Sequence, residues 1–356
     1  PGFSGTPSEF PLKSISSGYN QTRGVEVGTR WNLFSLLGIE TPKGVDGELL
    51  NDVYSNNGVG LGTRFSYSEG PQDGNLKLYG FYDFQNEEQS SAGRNYISED
   101  TFRGIASADY TTLIGSELLA QVQANFVSDP AFLSTFDQRA FAEHREYETS
   151  GFLRWQSGNS VFSILGKYDL DNSVVNSYQL ASRPYSVDKL PQVDYARFAD
   201  ELFGWLSWSQ EYSANTMQLR LTKGTPESIA APNLAFFPAD YLAPAPFTQD
   251  NLPIANAYSS AGYNQDLRAR IYTRQELSVP FEWEKIKIVP FGQVTGVGYF
   301  LEDFNSYSPE ADDYRGLFGG GAHMSTEFVR VYDGVQNRAL DINRLRWVLK
   351  PNAMLW

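Results

Sequence analysis

Arg268, Arg270 and Arg274 fall on one short stretch of the 356-residue chain. In an extended strand, side chains alternate between faces, so these three share one face while Leu267, Ala269 and Ile271 occupy the other. A guanidinium is a planar fork of donors that grips phosphate or carboxylate through paired hydrogen bonds, so such a row suits the guiding of an anionic or sugar-phosphate group. The competing reading is that the arginines pair with carboxylates such as Glu117 or Glu148 and only stiffen the sheet, since charges held out of bulk water are generally paired.

Other chemistry is sparse. Gly58-Val59-Gly60-Leu61-Gly62 lacks the spacing, the following helix and the distal acid of a phosphate loop, and reads as small residues that let a strand bend or meet another backbone closely. The two histidines, His144 and His323, are far apart, which gives no basis for a paired metal site. Asp169-Leu170-Asp171-Asn172 and Glu310-Ala311-Asp312-Asp313 lack the calcium-loop pattern and read as solvated loop tips, as do Glu87-Glu88 and Glu99-Asp100. With no cysteine, thiol catalysis and Cys-ligated zinc are excluded. A net charge of -14 argues against nucleic acid as a partner, because phosphates need a basic footprint. No metal, no cofactor and no enzymatic reaction are expected.

The elements that must carry these residues are strands. Val59, Leu61, Phe65 and Tyr67 alternate with Gly60, Gly62, Arg64 and Ser66; after a turn-rich segment, Leu76, Leu78, Tyr82 and Phe84 alternate with Lys77 and Asp83. Leu118, Ala120, Val122, Ala124 and Phe126 face away from Glu117, Gln121, Gln123 and Asn125. Further strands are expected at 25–33, 102–110, 147–155, 160–168, 190–198, 202–212, 217–222, 267–277, 287–299, 322–332 and 345–355, for roughly fourteen in all. The only helical candidate lies within 128–145. The class is all-β.

A soluble sandwich would hide its apolar faces in a dry core; a transmembrane antiparallel β-barrel would turn them to lipid and keep a polar lumen. Three features favour the barrel. The strands are long for soluble sheets. Polar faces carry charged and amide residues at successive positions. Aromatics gather near strand ends (Tyr67, Tyr110, Phe126, Trp155, Tyr168, Tyr212, Tyr299 and Tyr332), where interfacial girdles belong. No apolar run is long enough for a membrane-spanning helix. An arginine on the lipid face would cost roughly 2–4 kcal/mol at mid-depth, so the arginine row should face the lumen. Residues 1–24 read as a lead-in from a periplasmic region and 25–356 as the barrel portion, with a long extracellular loop at 223–262.

Read in order, these segments resemble the LptD family of lipopolysaccharide-assembly proteins. The resemblance rests on Trp31-Asn32-Leu33-Phe34, on Asn51-Asp52-Val53-Tyr54-Ser55 running into Gly58-Val59-Gly60-Leu61-Gly62, and on Tyr82-Asp83 and Phe102-Arg103-Gly104. It continues through Ser128-Asp129-Pro130-Ala131-Phe132-Leu133, Lys189-Leu190-Pro191-Gln192-Val193, Leu277-Ser278-Val279-Pro280-Phe281, Ile286-Lys287-Ile288-Val289-Pro290 and Lys350-Pro351. It implies an outer-membrane protein of a Gram-negative bacterium that passes lipopolysaccharide to the outer leaflet through a lumen and a sideways-opening seam. Its implied partners are lipopolysaccharide, outer-membrane lipids, an LptE-like plug lipoprotein and the periplasmic Lpt bridge. Prolines near the first strands weaken the family's seam, which points to Pro7 and Pro11 as gate-region residues. The family's periplasmic jellyroll is expected to be absent here, or to survive at most as a last stretch in Pro1–Asn20, and the family's cysteines have no counterpart in this sequence. The strand count and Pro351 favour an incomplete barrel, against the reading of terminal Trp356 as the closing signal of a complete one. The alternative function is a porin or substrate-specific channel; a soluble carbohydrate-binding or hydrolytic β protein is the third reading.

Overall fold

The computed structural model describes residues 10–21, 23–85, 87–89, 95–97, 101–129, 132–137, 140, 147–168, 170, 185–221, 256, 265–300, 313–337 and 340–356. Its strands are β1 (Leu12–Asn20), β2 (Gly24–Asn32), β3 (Val45–Tyr54), β4 (Gly58–Glu69), β5 (Gln72–Asp83), β6 (Glu87–Gln89) and β7 (Asn95–Ile97). Next come β8 (Phe102–Ile114), β9 (Leu118–Val127), β10 (Thr149–Ser157), β11 (Ser160–Tyr168), β12 (Tyr185–Leu202) and β13 (Leu206–Leu221). The last are β14 (Leu267–Ser278), β15 (Phe281–Trp283), β16 (Ile286–Phe300), β17 (Tyr314–Thr326), β18 (Phe328–Asn337), β19 (Ile342–Leu349) and β20 (Asn352–Leu355). Two single-turn helices complete it, α1 (Leu33–Leu37) and α2 (Phe132–Phe136).

Sixteen strands form one antiparallel sheet in the order β1-β2-β3-β4-β5-β8-β9-β10-β11-β12-β13-β14-β16-β17-β20, with β15 paired to β16. This is an all-β barrel-type wall in which neighbours in sequence are neighbours in space. Among the described residues, β1 and β20 stand at opposite ends of the order. The β6–β7 and β18–β19 hairpins are separate two-stranded sheets.

Local chemistry sets several joints. Glu69 pairs with Gln72, leaving Gly70-Pro71 as a two-residue turn. Gly70 has φ 60°, and the ring of Pro71 fixes its φ near about −65°, the sign order of a type II′ hairpin turn. Helix α1 is capped by the Asn32 side chain, which accepts from the Ser35 amide at 3.1 Å, and ends at left-handed Gly38.

Strand pairing carries one face across the wall. Gln123, Ser150, Lys167, Lys189, Met217 and Arg268 are successive cross-strand neighbours on β9 to β14. The helix α2 lies on this face, which we call inner. The outer face exposes Val53, Val59, Leu61, Leu76, Leu78, Phe102, Val122, Phe126, Leu153, Ile164 and Ile271. That exposure runs along successive strands, far beyond the scattered apolar residues of an ordinary protein surface.

The structure departs from the sequence expectation at identifiable places. The ladder starts at Leu12, inside the segment read as a lead-in, because polar β1 pairs along its length with β2. Strand β3, whose Asp-Gly-Glu start hides any alternation, was also unforeseen. The stretches 202–212 and 217–222 merge into the single strand β13. Residues 322–332 divide at Glu327, and 345–355 divide at Lys350-Pro351. Pro351 therefore sits between strands, its carbonyl accepting from the Thr326 amide at 3.2 Å, and removes no ladder bond. Tyr299 lies on the inner face, opposite Arg270, and is no part of an outer girdle. The 223–262 loop lies outside the described residues, Asn256 apart.

Candidate functional site

The inner face has two regions. The first is an apolar seat. Leu50, Tyr79, Phe81, Ile105 and Val127 from β3, β5, β8 and β9 form a buried cluster with Phe132 and Leu133 of α2. The ring of Phe136 lies 4.0 Å from that of Phe81 and 6.0 Å from that of Tyr54, centroid to centroid. Glycine makes the seat possible. A Cβ on Gly60 would stand 2.0 Å from Tyr79 Oη, and one on Gly62 would stand 2.7 Å from the Tyr79 ring. Tyr79 and Phe81 thus lie across β4, as the reading of Gly58–Gly62 as a close-approach strand requires.

Ion pairs fix the segment that carries α2. Arg103 is 0% exposed and grips Asp129 with two bonds, Nε to Oδ2 at 2.8 Å and Nη2 to Oδ1 at 2.7 Å. Its Nη1 donates to Asp83 Oδ2 at 2.9 Å, and its guanidinium stands 4.9 Å from the Phe136 ring centre. Lys77 pairs with Asp137 just past α2, and Arg23 donates to the Thr135 carbonyl. Nearby, Asp52 accepts from Arg30 at 2.8 Å and from the Tyr79 hydroxyl at 2.9 Å. Burial pushes the Asp137 carboxyl up, but the Lys77 charge and hydrogen bond, the Ala140 amide and Arg64 outweigh it and leave the group below the usual carboxylate range. Asp137 borders a cleft of about 380 Å³ lined by Arg64, Asn75, Lys77, Ser107 and Asp109.

The second region, on β12, β13 and β14, is polar and contains the arginine row. Arg268, Arg270 and Arg274 do share the inner face, while Leu267 and Ile271 are exposed on the outer one. Arg274 donates to Glu276 at 2.8 Å and to Gln293 at 3.0 Å, and stands 3.7 Å from Glu211. The carboxylates proposed from sequence are elsewhere: Glu117 accepts from Trp155 and Ser157, and Glu148 pairs with Lys167. Arg270 lies 5.6 Å from the ring centre of Tyr272 and its Nε has no partner. Its cross-strand neighbour Asn215 is 7% exposed with an unpartnered Oδ1, and the next neighbour, Gln192, has an unpartnered Oε1.

Pro11 directly precedes β1, and its carbonyl accepts from the Asn32 amide at 2.6 Å. Pro7 and His144 lie outside the described residues. His323 stacks near Phe291 at 5.3 Å. Of the four acidic stretches read as loop tips, Glu87-Glu88 instead lie on strand β6, Leu170 and Asp313 are described, and Glu99-Asp100 lie outside the described residues. Among the described residues, no group of three or more His, Cys, Asp or Glu converges as a metal site, and no helix is long and apolar enough to cross a membrane. Glu211, Asn215 and the Arg103 cluster were not foreseen as site residues, because each partnership depends on strand register; Glu276, two residues from Arg274 on the same face of β14, was open to the same period-2 spacing that placed the arginines.

No protein-family model matches the chain, and no curated protein matches it. Among solved structures, a bacterial polysaccharide outer membrane secretin aligns over 93% of this chain and 89% of its own, at 10% identity and a TM-score of 0.27. At that score the likeness carries no argument about cargo or mechanism.

Proposed function

We propose that this chain forms the wall of an outer-membrane translocon that inserts lipopolysaccharide into the outer leaflet of a Gram-negative bacterium. The observation that carries the reading is the division of one continuous wall: exposed apolar side chains outward, and inward a buried apolar seat for α2 beside a region of charged and amide side chains. An outer face of that kind is stable against lipid tails and costly against water. The resemblance to the LptD family supplies the cargo. Its blocks come together in space, since Asp52, Tyr54, Asp83, Arg103, Asp129, Phe132 and Leu133 meet around the α2 seat.

In this mechanism the saccharide passes along the inner face while the acyl chains leave sideways through a seam. The edge of β1 is the natural seam, because among the described residues it ends the hydrogen-bonded order and Pro11 before it has no amide to donate. Arg268, Arg270 and Arg274 line the saccharide route. An LptE-like plug lipoprotein and a periplasmic Lpt bridge are the partners this reading calls for. A substrate-specific channel is the second reading, favoured by the inward seat of α2, which narrows whatever passes. The test is depletion of the full-length gene product with surface labelling of lipopolysaccharide on intact cells. Loss of surface lipopolysaccharide with precursor accumulating inside supports the translocon. Normal surface lipopolysaccharide with reduced small-solute uptake replaces it with the channel.

A further inference from the structure

Gln192, Asn215 and Arg270 are direct neighbours on three adjacent strands, and each carries a buried side-chain atom with no hydrogen-bond partner. A buried polar atom left unpaired costs stability, roughly 1–3 kcal/mol each, and a run of three is not what a purely structural wall would keep. The row continues onto Phe152 and Leu165 on one side and Tyr299 on the other, all on the inner face. A polar centre with apolar and aromatic shoulders is therefore built across the wall.

The unpaired atoms define the ligand. Gln192 Oε1 and Asn215 Oδ1 accept, while Arg270 Nε–H donates. A fully ionised phosphate offers only acceptor oxygens and would face two more acceptors. The charge around the row also disfavours it. Gln192 donates to Asp194 at 2.8 Å, Arg274 is already held by Glu276, and Glu211 lies two residues further along the same face of β13 from Ser213, the inner residue next to Asn215. A hydroxyl group both donates and accepts. It satisfies either end of an amide that turns over, and it also accepts from Arg270. Strand spacing of about 4.8 Å sets the three residues over roughly 10 Å, enough for adjacent rings of an oligosaccharide rather than one small ion.

We infer that Gln192, Asn215 and Arg270 form a binding site for the hydroxyl groups of an uncharged saccharide segment. The site deepens the translocon reading, since it identifies which part of a glycolipid the inner wall holds: the neutral sugar and not the phosphate.

The test uses the full-length protein in detergent micelles with ¹⁵N-labelled side chains. The Arg270 Nε–H and Asn215 amide signals are assigned by their loss in Arg270→Lys and Asn215→Asp. Maltotriose and inorganic phosphate are titrated separately. The expected result is that maltotriose moves both signals and phosphate moves neither. Asn215→Leu should weaken maltotriose by about tenfold, as read on Arg270. Arg270→Lys, which keeps the charge but loses the Nε–H, should weaken it similarly, as read on Asn215. If phosphate moves Arg270 while maltotriose does not, the site is an anion site and the inference fails. If neither ligand moves either signal, the row binds neither class of ligand and the inference fails as well. Binding to purified protein is independent of export in cells. Saccharide binding with normal surface lipopolysaccharide would overturn the translocon reading alone, and the converse would overturn this site alone.

Discussion

Arg103→Leu removes the one cation between two buried carboxylates. Asp83 and Arg103 are both 0% exposed as side chains, and Asp129 is 8% exposed. Taking one partner out of a buried ion pair typically costs about 3–5 kcal/mol, because the remaining charge is stranded without solvent. Here the loss falls mainly on the attachment of the α2 segment, since Asp129 precedes α2 and the guanidinium also covers the ring of Phe136. The strands on either side keep their backbone ladders, so the expected event is local release of 129–137 with the sheet intact. At 1.36 kcal/mol per decade, release becomes roughly 10²- to 10⁴-fold more populated. Chymotrypsin cleavage after Phe132 and Phe136 reads that population when opening and closing are fast relative to cutting. Cleavage mapped by mass spectrometry on the folded protein in micelles should rise by that factor. Replacing all three partners with apolar or amide groups (Arg103→Met, Asp83→Asn, Asp129→Asn) should recover much of the protection. A cleavage rate within tenfold of the parent in Arg103→Leu would refute the idea that this cluster holds the segment.

Three further outcomes follow from other parts of the wall. Because the folded Asp137 carboxyl lies below its unfolded value, its pairing with Lys77 contributes fully above about pH 4 and is lost as pH falls through the lowered folded pKa, so segment cleavage, read in acid with pepsin, should rise only below about pH 4; Lys77→Met should weaken that acid dependence, since the Ala140 amide and Arg64 remain, and an unchanged profile would count against it. Gly58→Ala would place a Cβ 1.9 Å from the Tyr82 carbonyl at φ 146° and should lower the denaturant midpoint by the equivalent of about 1–3 kcal/mol, whereas Gly151→Ala, with nothing within 4 Å, should stay within about 0.5 kcal/mol. Outer-face Val122→Arg should cost roughly 2–4 kcal/mol in a bilayer and reduce the membrane-assembled fraction, while inner-face Gln123→Arg should not; equal effects would argue against lipid on the outer face.

The β class and most strands were legible because the outer face is apolar nearly everywhere, and a period of two is visible when one face is constant. What failed was the inner face. On β5 the inner positions run Lys77, Tyr79, Phe81, Asp83, so the strand is apolar on both sides at its centre and the seat for α2 is invisible to alternation. Strand β1 was missed for the opposite reason: Leu12–Asn20 is mostly polar, and only its pairing with β2 makes it a strand. The arginine row was correctly placed on one face, since that needs only periodicity. Of its partners, Glu211 becomes a neighbour only through register, which a local pattern does not encode, whereas Glu276 lies two residues along the same strand and was legible from the same periodicity.

The position of the apolar seat follows from the same division of faces. On the membrane-barrel reading, rings on the outer side face lipid, so an occluding element can be held only from within. A five-residue helix has no stability of its own and must borrow it from packing. The wall supplies that packing by omitting side chains on β4: Gly60 and Gly62 let Tyr79 and Phe81 lie flat, and Phe132 and Phe136 rest on them. Flat apolar packing leaves the helix free to slide, whereas the two-bond grip of Arg103 on Asp129 and the Lys77–Asp137 pair fix its place at each end. The unpaired row on β12, β13 and β14 has the reverse design, with buried polar atoms left without hydrogen-bond partners and no segment seated on them among the described contacts. One stretch of wall is thus satisfied internally and the other is not, an asymmetry that on the translocon reading suits a surface that restricts passage on one side and reads cargo on the other.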